Sequence, residues 1–324
     1  MSIRSRIVES FRTLTRAEKR PRVSEWDDFW YERQPFENST GIDVNEDISL
    51  TYSAVWACRK VISEDLGSLP LHVYRRRGDT TEKAREHPLY GLLHDAPNPE
   101  MSAMQFRETL EDHLLGFGNA YAQIQRNLRG EIMALWPLNP APERMKPSRN
   151  SDDELIYEYR LEDGSKTTFQ RDEIFHVAGL GFNGLIGYSP IGYQREAVAV
   201  GLAAQQFQGS NFKNGGRLQL AFIHPAPKAP NKEGRDAFRD AIRKEYGGPK
   251  GNTVGVLWEG MKPEKLSMTM EDAQFIESRK FNRTEICAIY RVPPHKIMDL
   301  ERATFSNIEQ QSISYVIDTI RPWA

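Results

Sequence analysis

The sequence predicts an α+β protein, on three observations. Apolar residues recur at helical spacing, bounded by capping residues, over 55–66, 102–117, 189–214, 270–291 and 306–320. Two stretches of period two each fold back at a turn, one at Gly130 and one at Asp163-Gly164, as hairpins do. These hairpins follow one another without a helix between them, so the strands pair antiparallel and not as a βαβ array.

In chain order, residues 1–48 form a basic arm and linker. Arg4, Arg6, Arg12, Arg16, Lys19, Arg20 and Arg22 outnumber Glu9 and Glu18, and Ile3, Ile7, Phe11 and Leu14 recur on one helical face. Such an arm suits an acidic partner or a membrane surface, although a solvated leader needs neither. After Trp26, Asp27, Asp28 and Trp30, folding is expected to begin at Ser49. Val55, Trp56, Val61, Ile62 and Leu66 line a helix ended by Gly67, and 69–75 reads as a strand. A short helix over 88–94 is closed by Pro97-Asn98-Pro99. Ser102 opens the next helix, with Phe106, Leu110, His113, Leu114 and Phe117 inward and Gly116 and Gly118 at its end. Hairpins over 120–148 and 155–169 and a strand over 173–178 complete this part.

Ser189 and Pro190 open a long helix as N-cap and first-turn proline. Its body includes Ala197, Val198, Ala199, Val200, Gly201, Leu202, Ala203 and Ala204, small and apolar on nearly every face, so close neighbours are expected all round. An insert over 215–268 follows, with strands over 219–224 and 253–258 around a helix over 231–246. That helix sets Phe238 and Ile242 on one face and Lys232, Arg235, Asp236, Arg239 and Lys244 on the other. A second long helix carries Phe275, Ile276, Phe281, Ile286, Ile289 and Tyr290 and is stopped by Pro293-Pro294. Ser306 and Glu309 have capping-box spacing ahead of Ile308, Ile313, Val316, Ile317 and Ile320. The loop between them, with Asp299, Leu300, Glu301, Arg302, Ala303 and Thr304, is therefore expected to be pinned at both ends.

Composition narrows the function. With 324 residues, 39% hydrophobic and 27% charged, the chain can bury a sizeable core in two or three domains. A net charge of -2 leaves no overall electrostatic footprint for nucleic acid. No apolar run is long enough to span a membrane, and the N-terminus lacks the apolar centre of a signal peptide, so an intracellular chain is expected. Cys58 and Cys287 stand apart inside helical patterns and read as buried thiols, not as a disulfide scaffold or metal knuckle. Gly179, Gly181 and Gly184 match G-x-G-x-x-G after a strand and offer the one enzyme-like reading, a nucleotide-binding loop. The match lacks context, because the helix opens later, at Ser189-Pro190, and no acidic strand end follows about 20 residues on. No histidine pair has metal-ligand spacing, and Asp152, Asp153, Glu154, Asp172 and Glu173 sit beside turns as solvated caps. Neither catalysis, a metal nor a cofactor is expected.

Several short motifs, taken in order, resemble the portal proteins of tailed bacteriophages, in particular the HK97-like portal family. They are Ser68-Leu69-Pro70, His87-Pro88-Leu89, Leu92-Leu93, Pro97-Asn98-Pro99, Gly118-Asn119-Ala120-Tyr121, Trp136-Pro137-Leu138, Asp172-Glu173-Ile174 with His176, and Gly187-Tyr188-Ser189-Pro190. Glu277, Arg279-Lys280 and Val292-Pro293-Pro294 continue the series, so the resemblance covers most of the chain from Ser49 on. It implies a homo-oligomeric ring, usually a dodecamer, at one capsid vertex of the virion, assembled in the host cytoplasm. Double-stranded DNA would be packaged and ejected through it without sequence specificity. The implied partners are a large terminase or packaging motor, a head-tail adaptor and capsid and scaffold proteins, with no membrane. The implied order is a wing domain over 49–188, stem helix 1 over 189–214, a clip over 215–268, stem helix 2 over 269–292, and a tunnel loop with a following helix over 293–324. On this reading Ala197, Ala199, Gly201 and Ala203 pack the stem. Lys232, Arg235, Asp236, Arg239 and Lys244 form the clip docking surface, and Asp299 to Thr304 face DNA in the channel. The amphipathic pattern reaches Trp323-Ala324 without a crown, as a truncated product would.

Overall fold

The computed structural model describes residues 38–152, 154–181, 185–213, 220–223, 232–233, 236, 240, 262–265, 272–300 and 305–324. Strands and helices are segregated, and every strand pair is antiparallel. The α+β class holds.

Helices α1 (Glu46–Ser49) and α2 (Ser53–Gly67) come first. A hairpin of β1 (Tyr74–Arg77) and β2 (Thr80–Lys83) follows, turned by Gly78 at φ 59°. The strand expected over 69–75 thus begins later and pairs with a neighbour the periodicity did not reveal. Helix α3 spans Pro88–His94, and α4 spans Ala103–Phe117. Ser102 and Gln105 close the capping box of α4, and Gly118 ends it in the left-handed region at φ 76°.

Two three-stranded sheets form the next layer. One has β3 (Asn119–Arg126) between β4 (Ile132–Leu138) and β8 (Ile174–Ala178); the other has β6 (Leu155–Arg160) between β5 (Met145–Arg149) and β7 (Lys166–Gln170). Alternation along β3 explains their placement. Ala120 and Ala122 point to Phe106, Leu110 and Leu114 of α4, while Tyr121 points to Met145, Leu155 and Tyr157 of the other sheet. Asn98 ties the preceding loop to β4, donating to the Leu135 carbonyl at 2.8 Å.

The long helix opened by Ser189 is broken at Gln194 into α5 (Pro190–Tyr193) and α6 (Arg195–Lys213). Strands β9 (Leu220–Ile223) and β10 (Lys262–Lys265) pair with each other. The strand expected over 253–258 lies outside the described residues, and Lys232, Glu233, Asp236 and Asp240 have helical backbone. Helix α7 spans Asp272–Ile289, and α8 spans Phe305–Tyr315, continuing as a π-helical turn over Val316–Ile320. Since α8 already includes Phe305, Ser306 lies inside the helix and not at its N-cap, where the S-x-x-E spacing had placed it.

The largest core joins α2, α6, α7 and α8. It contains Val55, Cys58 and Ile62, then Val198, Ala199 and Leu202, then Ile286, Cys287 and Tyr290, and finally Tyr315 and Ile320. Packing therefore crosses the boundary drawn at Ser189, with α2 in contact both with α4 and with α7. Cys58 and Cys287, isolated in sequence, are neighbours here. The Cys58 thiol donates to the Cys287 sulfur, and that bond together with burial pushes the Cys58 pKa up; both cysteines are free and buried.

Candidate functional site

Helices α6 and α7 run antiparallel, and one glycine sets how closely they approach. A Cβ on Gly201 would lie 2.5 Å from both Asn282 Oδ1 and Tyr52 Cε1, closer than real contacts allow. Tyr52 donates to Asn282 Oδ1 at 2.5 Å, and Asn282 Nδ2 donates to the Ala197 carbonyl at 3.0 Å. Burial raises the Tyr52 pKa and keeps the phenol a donor. Arg279 donates to Gln208 Oε1, and the Phe207 and Phe275 rings stand 5.7 Å apart.

Neighbours therefore surround the small residues within one chain. Ala199 is fully buried, Gly201 is filled by Tyr52 and Asn282, and Ala197 and Ala203 are half-buried. The close neighbours of Ala199 and Gly201 are thus supplied by Tyr52, α2 and α7 of the same chain. What faces outward includes Ile276 and Phe281, which the sequence grouped with Ile286 and Tyr290 as the apolar residues of the helix over 270–291. Val200 and Phe207, on one side of α6, are 43% and 58% exposed, and Ile276 and Phe281 of α7 are 52% and 71% exposed. Large apolar side chains are thus left in water on both packed helices.

The segment after α7 is fastened at several points. Arg291 takes a left-handed φ of 54°, and its carbonyl accepts from Thr319 Oγ1 at 2.7 Å. His295 sits 2.9 Å from Gln311 Oε1 and 3.3 Å from Ser312 Oγ, so Nδ1–H donates to the amide oxygen and Nε2 accepts from the hydroxyl. The Lys296 ammonium lies 3.4 Å from Asp65 of α2 and 4.8 Å above the Tyr315 ring. Asp299 accepts from Arg283 of α7 at 3.0 Å, so its charge is met from that helix, and Leu300 is 58% exposed. Glu301, Arg302, Ala303 and Thr304 lie outside the described residues. So do Arg235, Arg239 and Lys244, whereas Lys232 is exposed and Asp236 half-buried.

Three of the sequence motifs meet in one knot between sheet and helices. A Cβ on Gly118 would stand 2.0 Å from the Tyr188 carbonyl oxygen, and one on Gly187 would stand 1.9 Å from the Gly118 oxygen. Asn119 brackets Gly187, donating to its carbonyl at 2.9 Å and accepting from its amide at 2.8 Å. His176 stacks on Tyr121 at 4.3 Å between Asn119 Oδ1 and Tyr157 OH, each 3.2 Å away. Its Nε2 therefore carries the proton given to Asn119, and Nδ1 accepts from the phenol. The glycine run is part of this crossing. Gly179 N donates to the Gly118 carbonyl at 2.9 Å, and a Cβ on Gly181 would stand 1.8 Å from the Ile186 oxygen. These two glycines serve close backbone passage; Gly184 lies outside the described residues.

A family model for phage portal proteins matches residues 53–324. The portal protein of Enterobacteria phage HK97 is 32% identical over 86% of this chain and 66% of its own length. A probable portal protein of Streptomyces phage phiC31 is 30% identical over 88% of this chain and 64% of its own. The chain thus spans about two thirds of the length of these relatives. Among solved structures, the neck of a native GTA particle computed with C12 symmetry contains a chain at TM-score 0.57 and 20% identity, covering 85% of this chain and 76% of that one. An HK97 family phage portal protein from Corynebacterium diphtheriae matches at TM-score 0.59 and 15% identity, covering 85% and 84%. At these identities the structures support the fold alone.

Proposed function

Because the chain belongs to the phage portal protein family, we propose that it is a structural subunit of a ring channel at one vertex of a phage-type capsid, through which duplex DNA passes during packaging and ejection. The observation that carries this reading is the apolar strip on α6 and α7. Val200, Phe207, Ile276 and Phe281 stand exposed on a helix pair whose small residues are already consumed inside the chain. A subunit repeated around an axis would bury that strip against its neighbour, through a head-to-tail contact that closes into a ring. The symmetric GTA neck that contains a chain of this fold supports the same reading.

Within that ring, Asp299 to Thr304 line the channel, and the clip face with Lys232, Arg235, Asp236, Arg239 and Lys244 receives a packaging motor and a head-tail adaptor. The subunit performs no chemistry of its own; the motor hydrolyses the nucleotide. Duplex DNA carries a charge about every 1.7 Å, so a freely sliding lining must not be uniformly basic. The Arg283–Asp299 pair supports this, placing both signs at the loop entrance. Electron microscopy of the purified chain tests the proposal. Closed rings with a central hole are expected, and a uniform monomer at high protein concentration and at every salt tried would overturn it.

A further inference from the structure

The basic arm read from the sequence has an acidic counterpart in the same chain. Beside the packed pair α2 and α4 lie two adjoining cavities of about 520 and 380 Å³, whose walls share Leu50, Arg59, Thr109 and Asp112. Both fall within the roughly 300–1,000 Å³ that binding clefts occupy. Leu50, Met101 and Trp56, which is 53% exposed, give the larger cavity an apolar wall, and Phe117 and Leu138 continue it in the smaller one.

Charge in these walls is lopsided. Arg59 is spent on Asp112, with Nε and Nη2 each donating to a carboxylate oxygen at 2.8 Å. Lys60 lies 3.5 Å from Glu64, which is not a wall residue. His113 is neutral at pH 7, because burial lowers its pKa to about 4. Glu46, Asp47, Glu100 and Glu108 are left, and no basic residue among the described ones pairs with any of them. Glu46 accepts from the Ser189 hydroxyl at 2.9 Å, a contact that adds no positive charge. Arg59 and Ser63 are each 2% exposed, yet Arg59 Nη1 and Ser63 Oγ have no hydrogen-bond partner among the described residues. The cleft thus offers apolar contact and four uncompensated carboxylates to a segment that is both cationic and apolar, and the same carboxylates repel an anionic one.

We propose that this cleft, walled by Trp56, Glu46, Asp47, Glu100 and Glu108, binds the basic arm of its own chain. Residues 1–22 carry seven basic side chains against Glu9 and Glu18, and Ile3, Ile7, Phe11 and Leu14 recur at the spacing by which an amphipathic helix lays its apolar side in a groove. The arm is also tethered to the cleft, since only 24 positions separate Arg22 from the wall residue Glu46. A tether that short holds a segment at an effective concentration on the order of millimolar, an advantage that no untethered partner shares. Docking there withholds the arm from anionic surfaces, which must compete with the cleft for it. Nothing in this contact depends on ring closure, so its failure would leave the portal reading untouched.

Trypsin digestion of the full chain, with cleavage after Arg12 and Arg16 followed by mass spectrometry, is the test. At about 1 mM effective concentration a segment with a Kd of about 0.1 mM is cut about tenfold more slowly than when free, so that ratio is expected against a synthetic peptide of residues 1–22. Salt at about 1 M, where the screening length is about 3 Å, should remove most of the protection. The triple variant Asp47→Asn, Glu100→Gln, Glu108→Gln should recover most of the peptide's rate, whereas Glu82→Gln with Glu162→Gln, exposed and outside the cleft, should leave the arm protected. Thermal melting checks that each variant is folded. If the triple variant is not, Ile7→Ser with Phe11→Ser changes the arm and leaves the walls intact, and should expose the same sites. Cleavage of the wild type at the peptide's rate, or equal rates in the cleft and control variants, overturns the proposal. So does protection that arises only on adding phosphatidylglycerol vesicles, which would assign the arm to a membrane surface.

Discussion

His176 carries no charge at neutral pH, because burial lowers its pKa to about 4. In the unfolded chain the same imidazole titrates near 6.5. A depressed folded pKa contributes stability that is present above about pH 6.5 and lost as the pH falls toward 4, since the unfolded state takes up the proton first. The loss should be on the order of 1–3 kcal/mol. Glu111 has the opposite sign. Burial, with Asp112 adding to it, pushes its pKa up to about 7, and Oε1 has no hydrogen-bond partner among the described residues. Its contribution is full below about pH 4.5 and disappears as the pH rises through 7. Melting curves from pH 4 to 8 should show His176→Gln with a flatter acid limb and Glu111→Gln with a flatter limb between 5 and 8. Unaltered profiles in both variants would mean that neither group is buried as described.

At the scale of elements, glycines on one helix have opposite roles. Gly201 is the contact point of α6 with Asn282 and Tyr52, whereas a Cβ on Gly209 would meet nothing within 4 Å. Gly201→Ala should force the helices apart and cost about 1–3 kcal/mol. Gly209→Ala should stabilise the chain by about 0.5–1 kcal/mol, because alanine loses less backbone entropy in a helix. Chemical denaturation of the two variants measures both; destabilisation by the same amount would show that α6 is uniformly packed. The segment after α7 is held by Lys296 to Asp65, His295 to Gln311 and Asp299 to Arg283, so movement of α8 must be felt by both α2 and α7.

For the whole molecule, the exposed strip offers a way to separate folding from assembly. Phe281→Glu and Ile276→Glu place a charge on side chains that are 71% and 52% exposed, so the monomer should melt like wild type while rings are lost from sedimentation profiles and micrographs. Ala199→Glu is the contrasting case: this side chain is fully buried among α2, α6 and α7, and a charge there should prevent folding altogether. Wild-type ring yield from both surface variants would move the subunit contact elsewhere on the molecule.

Local chemistry determined much of the outline. Ser102 with Gln105, Gly118 at positive φ, the turns at Gly130 and Gly164 and the Pro293-Pro294 stop all lie where neighbouring residues demanded them, because caps and turns depend on contacts a few residues away. The portal resemblance was legible for a related reason: three of its motifs supply the residues that build the crossing of Gly118, Asn119, His176 and Gly187. Why they belong together was not legible, since Asn119 meets Gly187 only after the sheet has formed. Amphipathic contrast also ran out on α6. With apolar residues on nearly every side, the helical period cannot say that Val198, Ala199 and Leu202 face inward while Val200 and Phe207 face out. Tertiary structure alone decided that, through the close fit of Gly201 against Asn282 and Tyr52. It decided equally that Cys58 meets Cys287 and that Lys296 reaches Asp65, because each is a contact between segments that the sequence presents separately.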